Sequence, residues 1–477
     1  MDRRLRVALV VGAGAALFAV SALPGQAATP AFTKPVQLVG AGGGEPGIAT
    51  DKKNNVYVNG PQSIPSIFNG TPGVAVWASH NDGAGFANAN KARFAGSYIG
   101  GGDSDEVVAP DTGRVYLADL EAVGTAVCFS DDHGTTFNSV GPFPDPGHCG
   151  GVVVGQAGPS NDRPWLTADK KGVVYLTYHE FTTAQPLAFR SDNGGADAFA
   201  HPCGPLVTDP AIEANIPTDV TGGTLVSKPV VDGAGKLYVM FTTTTQDQNL
   251  AALADNKLSG TFSQVYMAVS SDHCQTFKNY TAFDGHKLGS NTVQFGDIFN
   301  ALTIDGGGNL YAVAAGFVGT KPFPPVANLY VLSSKDHGKT WTKPFSIGPV
   351  GAHMLPAAFG GPKAGQLAVG FFHTTNGVTD PNAGNATWTY MGGGSNNATS
   401  ATPSFTLTDV DRGAVYFKGA ICTMGILCTS GRDLLDFTSA TVDGAGCPLF
   451  TFAGEPVPGG KVFNYVTRQT AGCFRTR

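Results

Sequence analysis

A hairpin-sized unit recurs along most of this 477-residue chain. Each copy consists of an apolar strand, a turn rich in Asp, Asn and Gly, and a second strand that opens with an aromatic residue. In five copies this residue is a tyrosine, and successive tyrosines lie 59, 59, 63 and 73 residues apart. The five are Tyr57, Tyr116, Tyr175, Tyr238 and Tyr311. Such a period is typical of repeat folds, in which one supersecondary unit is copied around a shared core.

Seven copies of the unit can be counted. Five clear copies begin at Pro46, Glu106, Pro164, Lys228 and Ala301, and two weaker ones begin at Ala357 and Phe437. Asp, Asn and Gly supply the positive φ angles of tight turns, so each copy predicts a β-hairpin. Composition agrees, because 65 residues are glycine, only 14% are charged, and Val, Thr, Phe and Tyr recur between the turns.

A second motif follows most of the hairpins. It reads SHNDGAGF from Ser79, SDDHGTTF from Ser130, SDNGGADAF from Ser191, SSDHCQTF from Ser270 and SKDHGKTW from Ser334. Ser and Asp side chains in such a segment can bond the backbone of a tight turn. Asn81 and Asn193 replace the Asp in two copies, and Cys274 replaces the Gly in another. We predict that these residues shape turns and take no part in catalysis.

The five segments resemble the Asp box, S-x-D-x-G-x-T-W/F, of the BNR/Asp-box (sialidase-like) superfamily. The resemblance implies an all-β fold, a β-propeller of four-stranded antiparallel blades. Seven hairpins predict seven blades, with six as the alternative. Phe32-Thr33-Lys34-Pro35 mirrors Trp341-Thr342-Lys343-Pro344, which opens the last strand of an earlier blade. The N-terminal strand is therefore predicted to close the ring within the final blade, which pairs an otherwise open sheet edge.

The first 27 residues are interpreted as a signal peptide. Three arginines precede an apolar run from Val7 to Leu23, and small residues follow it. We expect residues 28–477 to form a single propeller domain and the protein to be secreted. The eight cysteines then indicate disulfides. Cys422 with Cys428 and Cys447 with Cys473 are the predicted pairs, and the remaining connectivity stays open.

Charge and composition limit the partners. The chain has 30 basic and 36 acidic residues, a net charge of −6. A nucleic-acid or anionic-membrane partner is therefore not expected. The resemblance points instead to a carbohydrate or cell-surface polymer, bound by a monomer with no membrane span after signal removal. No cofactor is expected, although turns of the DGGGN type could hold structural calcium.

Function is expected on the face opposite the turns. Hairpin turns and Asp boxes fall at strand ends of one parity, so the connections between blades share the other face with the second-to-third-strand loops. Chemically capable side chains concentrate there. They are Glu45, Asp103, Asp105, Glu106, Asp162, Arg163, Trp165, Lys228, Asp297, Asn300, His353, Asp433 and Asp436, with His179, Glu180 and His373 from the loops. A ring of such groups around one channel mouth predicts a binding pocket.

Carboxylates from neighbouring blades can act as general acid and base on a glycosidic bond. The predicted catalytic residues are Asp103, Glu106 and Asp162. The predicted substrate-binding residues are Glu45, Arg163, Trp165, His179, Glu180, Lys228, Asp297, His353 and His373. The histidines lack metal-ligand spacing, so no metal site is predicted.

The resemblance also limits the activity. Sialidases carry an early F/Y-R-I-P motif whose arginine begins a triad that grips the substrate carboxylate, and this sequence has no R-I-P. A strict exo-sialidase is therefore disfavoured, since a carboxylate sugar needs arginine clamps. The leading hypothesis is a secreted glycan-directed protein, either a glycoside hydrolase or a polysaccharide lyase. The alternatives are a non-catalytic propeller that binds a protein or cell-wall polymer, and an assembly surface at residues 322–325.

Overall fold

The computed structural model describes residues 28–40, 43–61, 74–88, 100–121, 124–143, 153–154, 161–180, 183, 185–214, 216, 224–243, 264–285, 293–295, 299–318, 327–422, 428 and 430–476. These residues form a seven-bladed propeller of antiparallel sheets, as the hairpin count predicts. The single helix among them is the four-residue α1 (Pro210–Glu213), which Asp209 caps. Within these ranges no helix has the length and apolar character needed to cross a membrane.

Strands β1 (Ala31–Phe32) and β2 (Val36–Gln37) precede the first blade. Blade 1 contains β3 (Gly47–Thr50), β4 (Val56–Pro61), β5 (Val74–Ser79) and β6 (Ala87–Asn88). Blade 2 contains β7 (Gly100–Val108), β8 (Val115–Glu121), β9 (Gly124–Ser130), β10 (Asn138–Ser139) and β11 (Val153–Val154). Blade 3 contains β12 (Asn161–Ala168), β13 (Val174–Glu180), β14 (Gln185–Ser191) and β15 (His201–Pro202).

Blade 4 contains β16 (Thr224–Val226), β17 (Val230–Val231), β18 (Leu237–Thr243), β19 (Gln264–Ser270) and β20 (Lys278–Asp284). Blade 5 contains β21 (Val293–Phe295), β22 (Ala301–Ile304), β23 (Leu310–Val318), β24 (Ala327–Ser334) and β25 (Phe345–Ile347). Blade 6 contains β26 (His353–Gly360), β27 (Leu367–Thr374), β28 (Thr387–Ser395), β29 (Thr406–Asp409) and β30 (Phe417–Lys418). Blade 7 contains β31 (Ser439–Val442), β32 (Pro448–Gly454) and β33 (Phe463–Ala471).

The N-terminal strands complete blade 7, as predicted. Both β1 and β2 pair with β33, the last strand of the chain. The backbone N–H of Thr33 donates to the carbonyl of Arg468 at 2.9 Å, and the N–H of Arg468 donates to Thr33 Oγ1 at 3.0 Å. Thr342 and Ser333 make the same two bonds in blade 5, at 2.9 and 3.0 Å. The two similar sequence segments therefore occupy equivalent places in their blades.

One aspartate organises each of five hairpin turns. Its Oδ1 accepts the backbone N–H groups two and four residues later, at 2.7–3.1 Å. The five are Asp51, Asp169, Asp232, Asp305 and Asp443. In three of them the other carboxylate oxygen accepts the hydroxyl of the repeat tyrosine six residues on. The repeat residues thus satisfy turn donors that burial would otherwise leave unpaired.

The second motif forms turns with the predicted hydrogen bonds. In all five copies the Ser hydroxyl accepts the N–H four residues later, at 2.7–3.1 Å. The Asp or Asn side chain accepts the N–H four residues after it. A related turn begins at Ser395, where the hydroxyl accepts the N–H of Asn397 and the Asn397 side chain accepts the N–H of Ser404. This turn was not predicted, because only the Ser-x-Asn spacing of the motif remains in its sequence.

Both kinds of turn lie on the same side of the propeller, called here the turn face. The ring nitrogen of His133, in the blade 2 motif, lies 3.5 Å from the hydroxyl of Tyr57, in the blade 1 hairpin. His337 and Tyr238 make the equivalent contact between blades 5 and 4 at 2.9 Å. The opposite side, called the loop face, carries the beginnings of the innermost strands.

Apolar side chains of adjacent blades pack into a closed series of clusters. Consecutive clusters join blades 1 and 2, 2 and 3, 3 and 4, and 4 and 5, another spans blades 5 to 7, and the last joins blades 7 and 1. The buried area between blades, and not one central core, therefore supplies the hydrophobic stabilisation.

Three disulfides lie within the described ranges. Cys422–Cys428 and Cys447–Cys473 are the predicted pairs. Cys203–Cys274 joins blades 3 and 4 across 71 residues of sequence. Cys274 takes the glycine position of its turn motif, at a φ of 59°. Local spacing could not reveal this bridge, because only the packing of two blades brings the residues together.

Ring closure can be tested at Phe32. Its half-buried ring packs 6.0 Å from Phe450 of β32. We expect Phe32→Ala to lower the free energy of unfolding by about 2 kcal/mol, since it removes part of the apolar contact that holds the N-terminal strand. Lys34→Ala, at an exposed position of the same segment, is the matched control and should change it by less than about 0.5 kcal/mol. Equal losses in denaturant titrations of the two variants would contradict this role.

Candidate functional site

Irregular innermost strands present the polar residues on the loop face. The register shifts in β7 between Gly100 and Ser104, and in β12 between Asp162 and Trp165. Arg163 lies in this second bulge with a φ of 55°, a conformation that costs energy for a residue with a side chain. Bulges redirect side chains next to functional sites. Here Asp103 and Asp162 lie at the two bulges.

Six charged residues meet at this end of the channel and are called the mouth cluster. They are Glu45, Asp103, Asp162, Arg163, Arg432 and Asp436. They come from blades 1, 2, 3 and 7, just before or at the start of the innermost strands. Four carboxyl groups thus face two guanidinium groups in a largely buried space.

Arg163 holds the centre of the mouth cluster. Its guanidinium carbon lies 4.1 Å from the ring centroid of Trp165 and 3.9 Å from that of Phe437. One terminal nitrogen donates to the carbonyl of Ser104 at 2.7 Å, and the other lies 3.4 Å from Glu45. The residue is only 1% exposed. A cation enclosed by two rings and a carboxyl group is strongly held.

Arg432 forms the second cationic contact. It donates to the carboxylate of Asp436 and lies 3.9 Å from Glu45. Burial raises the pKa of Asp436, while the charge of Arg432 acts in the opposite direction. Burial also raises the pKa of Glu45 well above its usual range, with help from Asp103 and Asp436. Arg163 and Arg432 limit this rise but do not cancel it.

Asp103 and Asp162 are neighbouring carboxyl groups that interact electrostatically. Burial, then the charge of Asp103, raise the pKa of Asp162 well above its usual range. Asp162 therefore holds its proton to a higher pH than an exposed aspartate does. A protonated carboxyl beside a carboxylate is the arrangement needed for general acid–base chemistry.

Glu106 and Lys228 lie on the channel wall instead of in the mouth cluster. Lys228 Nζ donates to Asp105 Oδ1 and to the carbonyl of Glu106, both at 2.7 Å. Asp105 also accepts the backbone N–H of Leu166 at 2.8 Å. Glu106 is fully buried and lines the channel cavity. The structure thus separates Glu106 from Asp103 and Asp162, the other two predicted catalytic residues.

His179 and Glu180 lie at the loop-face end of β13. His179 is the register partner of Asp162. Burial lowers its pKa to about 4, with Glu180 opposing this shift. Glu180 itself accepts the N–H and hydroxyl of Thr183 at 2.8 and 2.6 Å. His179 is therefore next to the cluster, while Glu180 fastens a local turn.

His353 and His373 form a separate pair in blade 6. They are register partners, and their ring centroids lie 5.1 Å apart. Burial and the neighbouring His373 lower the pKa of His353 to about 3, and burial lowers that of His373. The groups that shift these two pKa values include no member of the mouth cluster. No His, Cys, Asp or Glu group of three or more in the described ranges has metal-site geometry.

The predicted signal peptide over residues 1–27 lies outside the described residues, and so do two of the predictions about the functional surface. These are Asp297 and the apolar segment at residues 322–325. Conversely, Arg432 and Asp436 belong to the cluster but were not among the predicted site residues. Asp436 was recognised only as one of many polar residues in the connections. In a chain with few charged residues, the spacing of four residues between Arg432 and Asp436 could have indicated that the two side chains pair.

The comparisons with known proteins identify a fold and no family. No protein-family model and no curated protein matches this sequence. A solved structure described as polysaccharide lyase Uly1 is similar, with a TM-score of 0.51, 9% identity, and coverage of 95% of this chain and 94% of that one. The structure of an ulvan lyase has a TM-score of 0.49 and 10% identity, and the match covers 91% of this chain and 96% of the lyase. The NanB sialidase from Streptococcus pneumoniae has a TM-score of 0.44 and 12% identity, and the match covers 93% of this chain and 71% of the sialidase. At such identities the likeness shows the propeller fold alone.

Arg163 is predicted to stabilise the fold in a pH-dependent way. Arg163→Met keeps apolar bulk between Trp165 and Phe437 but removes the charge that lowers the pKa of Glu45. The pKa of Glu45 in the folded state then rises further, so the penalty relative to the wild type grows as pH increases through the already raised folded-state pKa of Glu45. We expect Arg163→Met to lower the free energy of unfolding by about 2–4 kcal/mol at pH 8 and by less at pH 4.5.

Chemical denaturation at the two pH values measures both losses. Adding Glu45→Gln to Arg163→Met should recover part of the loss at pH 8, because no buried carboxylate is left unpaired. Arg114→Met is the control, since Arg114 also stacks on a ring but pairs with an exposed carboxylate. A pH-independent loss for Arg163→Met would contradict the proposed coupling with Glu45.

The buried His353 predicts loss of stability in acid. Its pKa of about 3 in the folded protein lies below about 6.5, the value for an unfolded chain. Between these values the unfolded state binds a proton that the folded state does not, so stability is retained above about pH 6.5 and falls toward pH 3. His353→Gln should flatten this part of the stability curve measured by denaturation at pH 4 to 7. His201→Gln, at a half-exposed ring, should leave the slope unchanged, and equal slopes in both variants would refute the assignment.

Proposed function

We propose that this chain is a glycan-directed propeller, a glycoside hydrolase or polysaccharide lyase, with its chemistry in the mouth cluster. The observation that carries this proposal is the pair of Asp103 and Asp162, which come from neighbouring blades and interact electrostatically in a largely buried space. Burial and the adjacent carboxyl group raise the pKa of Asp162, which favours its protonated form. An acid and a base on neighbouring blades suit cleavage of a glycosidic bond that binds between them.

Each member of the pair has a role in this proposal. Asp162 donates its proton to the glycosidic oxygen as the bond to the leaving sugar breaks. Asp103 accepts a proton from the attacking water in a hydrolase, or from the carbon next to the sugar carboxylate in a lyase. The two carboxyl groups return to their starting state when a proton passes back between Asp103 and Asp162.

Other members of the cluster tune the pair and position the substrate. Asp103 raises the pKa of Glu45, so the carboxyl groups are electrostatically coupled. Arg432 is 25% exposed at its side chain and is the better placed of the two arginines to reach a substrate oxygen. Arg163, which is enclosed, holds the surrounding groups in position. His179 extends the site along β13, next to Asp162.

We further infer that the turn motifs are Asp boxes and that the chain belongs to the sialidase-like superfamily. The shared Ser and Asp hydrogen bonds in five turns support this assignment. We also propose export from the cell through the predicted signal peptide, with residues 28–477 as one propeller domain. Three disulfides agree with an oxidising compartment.

A non-catalytic glycan-binding propeller is the second candidate. The enclosure of Arg163 between two rings supports it, because a fully buried ion cluster can serve structure alone. The two candidates differ in outcome. An enzyme releases product from a glycan, whereas a binding propeller retains the intact polymer.

The proposal is tested by substituting the acid pair. Purified protein is first screened on a panel of neutral and uronic-acid polysaccharides, with reducing ends reporting hydrolysis and unsaturated-uronate absorbance reporting elimination. On the substrate found, Asp162→Asn and Asp103→Asn should each lower kcat about 10²–10⁴-fold, since each removes one half of the acid–base pair. Wild-type activity should fall on the alkaline side as Asp162 loses its proton.

Asp111→Asn is the matched control, because this exposed carboxylate lies in a turn-face hairpin. It should retain full activity. Unchanged turnover in both Asp103→Asn and Asp162→Asn would disprove the catalytic roles. Retention of an intact glycan without any product, lost in the same two variants, would establish the binding propeller instead.

A further inference from the structure

The central channel contains a cavity that the mouth cluster does not use. Its volume is about 270 Å³ and the innermost strands surround it. Small-molecule sites typically begin at about 300 Å³, so the cavity is close to the size of a small ligand site. Its lining is mostly apolar, with the charged and amide side chains of Glu106, Lys228 and Asn300 toward the loop-face end and the hydroxyl groups of five threonines and one serine among the wall residues.

The cavity is closed at that end. Trp165, Phe299 and Phe437 form a layer of rings with centroid distances of 5.7, 5.1 and 6.1 Å. All three rings are buried, and Arg163 is enclosed between two of them. We call this ring layer, together with Asn300, the channel floor.

The cavity opens toward the turn face. The strand ends there carry apolar residues that are only half-buried, such as Val108, Val231 and Ile304, and Phe359 is 38% exposed. These side chains line the cavity beyond the floor. The channel is therefore a well with apolar walls, closed below the mouth cluster and entered from the opposite side of the propeller.

Asn300 points to a ligand in this well. It is 3% exposed, and within the described ranges neither its amide nitrogen nor its oxygen has a hydrogen-bond partner. A buried amide with both atoms unpaired costs several kcal/mol in principle and is rare in native proteins. The missing partner must both donate and accept a hydrogen bond.

The charges around Asn300 favour an uncharged partner. Lys228 already donates to Asp105 and to the carbonyl of Glu106. An anionic head would meet the carboxyl group of Glu106, and a cationic head would meet Lys228. A sugar would place hydroxyl groups against the apolar part of the wall, such as Ile48, Val108 and Ile304, where they would lose their hydrogen bonds to water.

We propose that the channel well binds a small uncharged amphiphile, with an amide or hydroxyl head on Asn300 and an alkyl chain along the apolar walls. The head satisfies the donor and the acceptor of the Asn300 amide. The chain removes the wall residues from water and extends toward the turn face. This site is independent of the proposed function, because the ring layer separates it from Asp103 and Asp162.

Hexanamide is the probe, and the full-length mature protein is titrated with it by calorimetry. We expect saturable one-site binding, at least tenfold weaker binding of hexanoate and of hexylammonium, and a loss of about tenfold for Asn300→Leu, which keeps the side-chain size but removes both hydrogen bonds. Val231→Phe narrows the open end without changing the floor, and it should also weaken binding. Asp103→Asn should bind hexanamide as the wild type does, so this result does not depend on the proposed enzyme.

A crystal soaked with 6-bromohexanamide locates the site, and the bromine is expected near Val231 or Phe359. No saturable binding, or equal affinity of Asn300→Leu and wild type, would overturn the proposal. So would ordered water alone on Asn300 in the soaked crystal. If Asn300→Leu does not fold, the Val231→Phe variant and the bromine position decide the question.

Discussion

The propeller depends on side-chain oxygens that satisfy the backbone donors of its tight turns. In five hairpins one aspartate accepts two N–H groups, and in five further turns a serine hydroxyl and a neighbouring Asp or Asn accept one each. Because each turn is fixed locally, every blade has the same strand order and the same turn face. The loop face follows from this, and with it the place where innermost strands begin. The positions of Asp103 and Asp162 are thus a consequence of turn chemistry elsewhere in the blades.

The mouth cluster differs from these turns, because its charged groups come from four blades and not from one local segment. Four carboxyl groups and two guanidinium groups are brought together in a space where burial raises the pKa of Glu45 and of Asp162. Arg163 also adopts a positive φ within a bulge. A strained backbone and perturbed carboxyl groups lower the stability of the fold, and they concentrate at functional sites more than elsewhere. Most of the inter-blade clusters lie at other places, so much of the stability that offsets this cost comes from the remainder of the ring.

Much of the fold was predictable because its determinants are local and repeated. Hairpin turns, the ring-closing similarity at Thr33 and the two short disulfide loops each depend on residues close in sequence. Cys203–Cys274 was not predictable, since it depends on how two blades pack. For the site, the sequence indicated the loop-face connections, where the mouth cluster lies, but it could not tell which side chains converge. Glu106 lies only three residues after Asp103 in the sequence, yet strand alternation and the bulge place Glu106 on the channel wall.

The same strands therefore build two chemically different zones along one axis. Toward the loop face, bulges decide which side chains meet, and charged residues from four blades converge. Toward the turn face the strands regain regular alternation, and small apolar residues line the channel. The ring layer of Trp165, Phe299 and Phe437 lies at the change between the two regimes, with Arg163 on its loop-face side. The perturbed carboxyl groups lie on one side of this layer and the unpaired Asn300 amide lies on the other. One aromatic boundary thus separates the charged site from the unsatisfied amide.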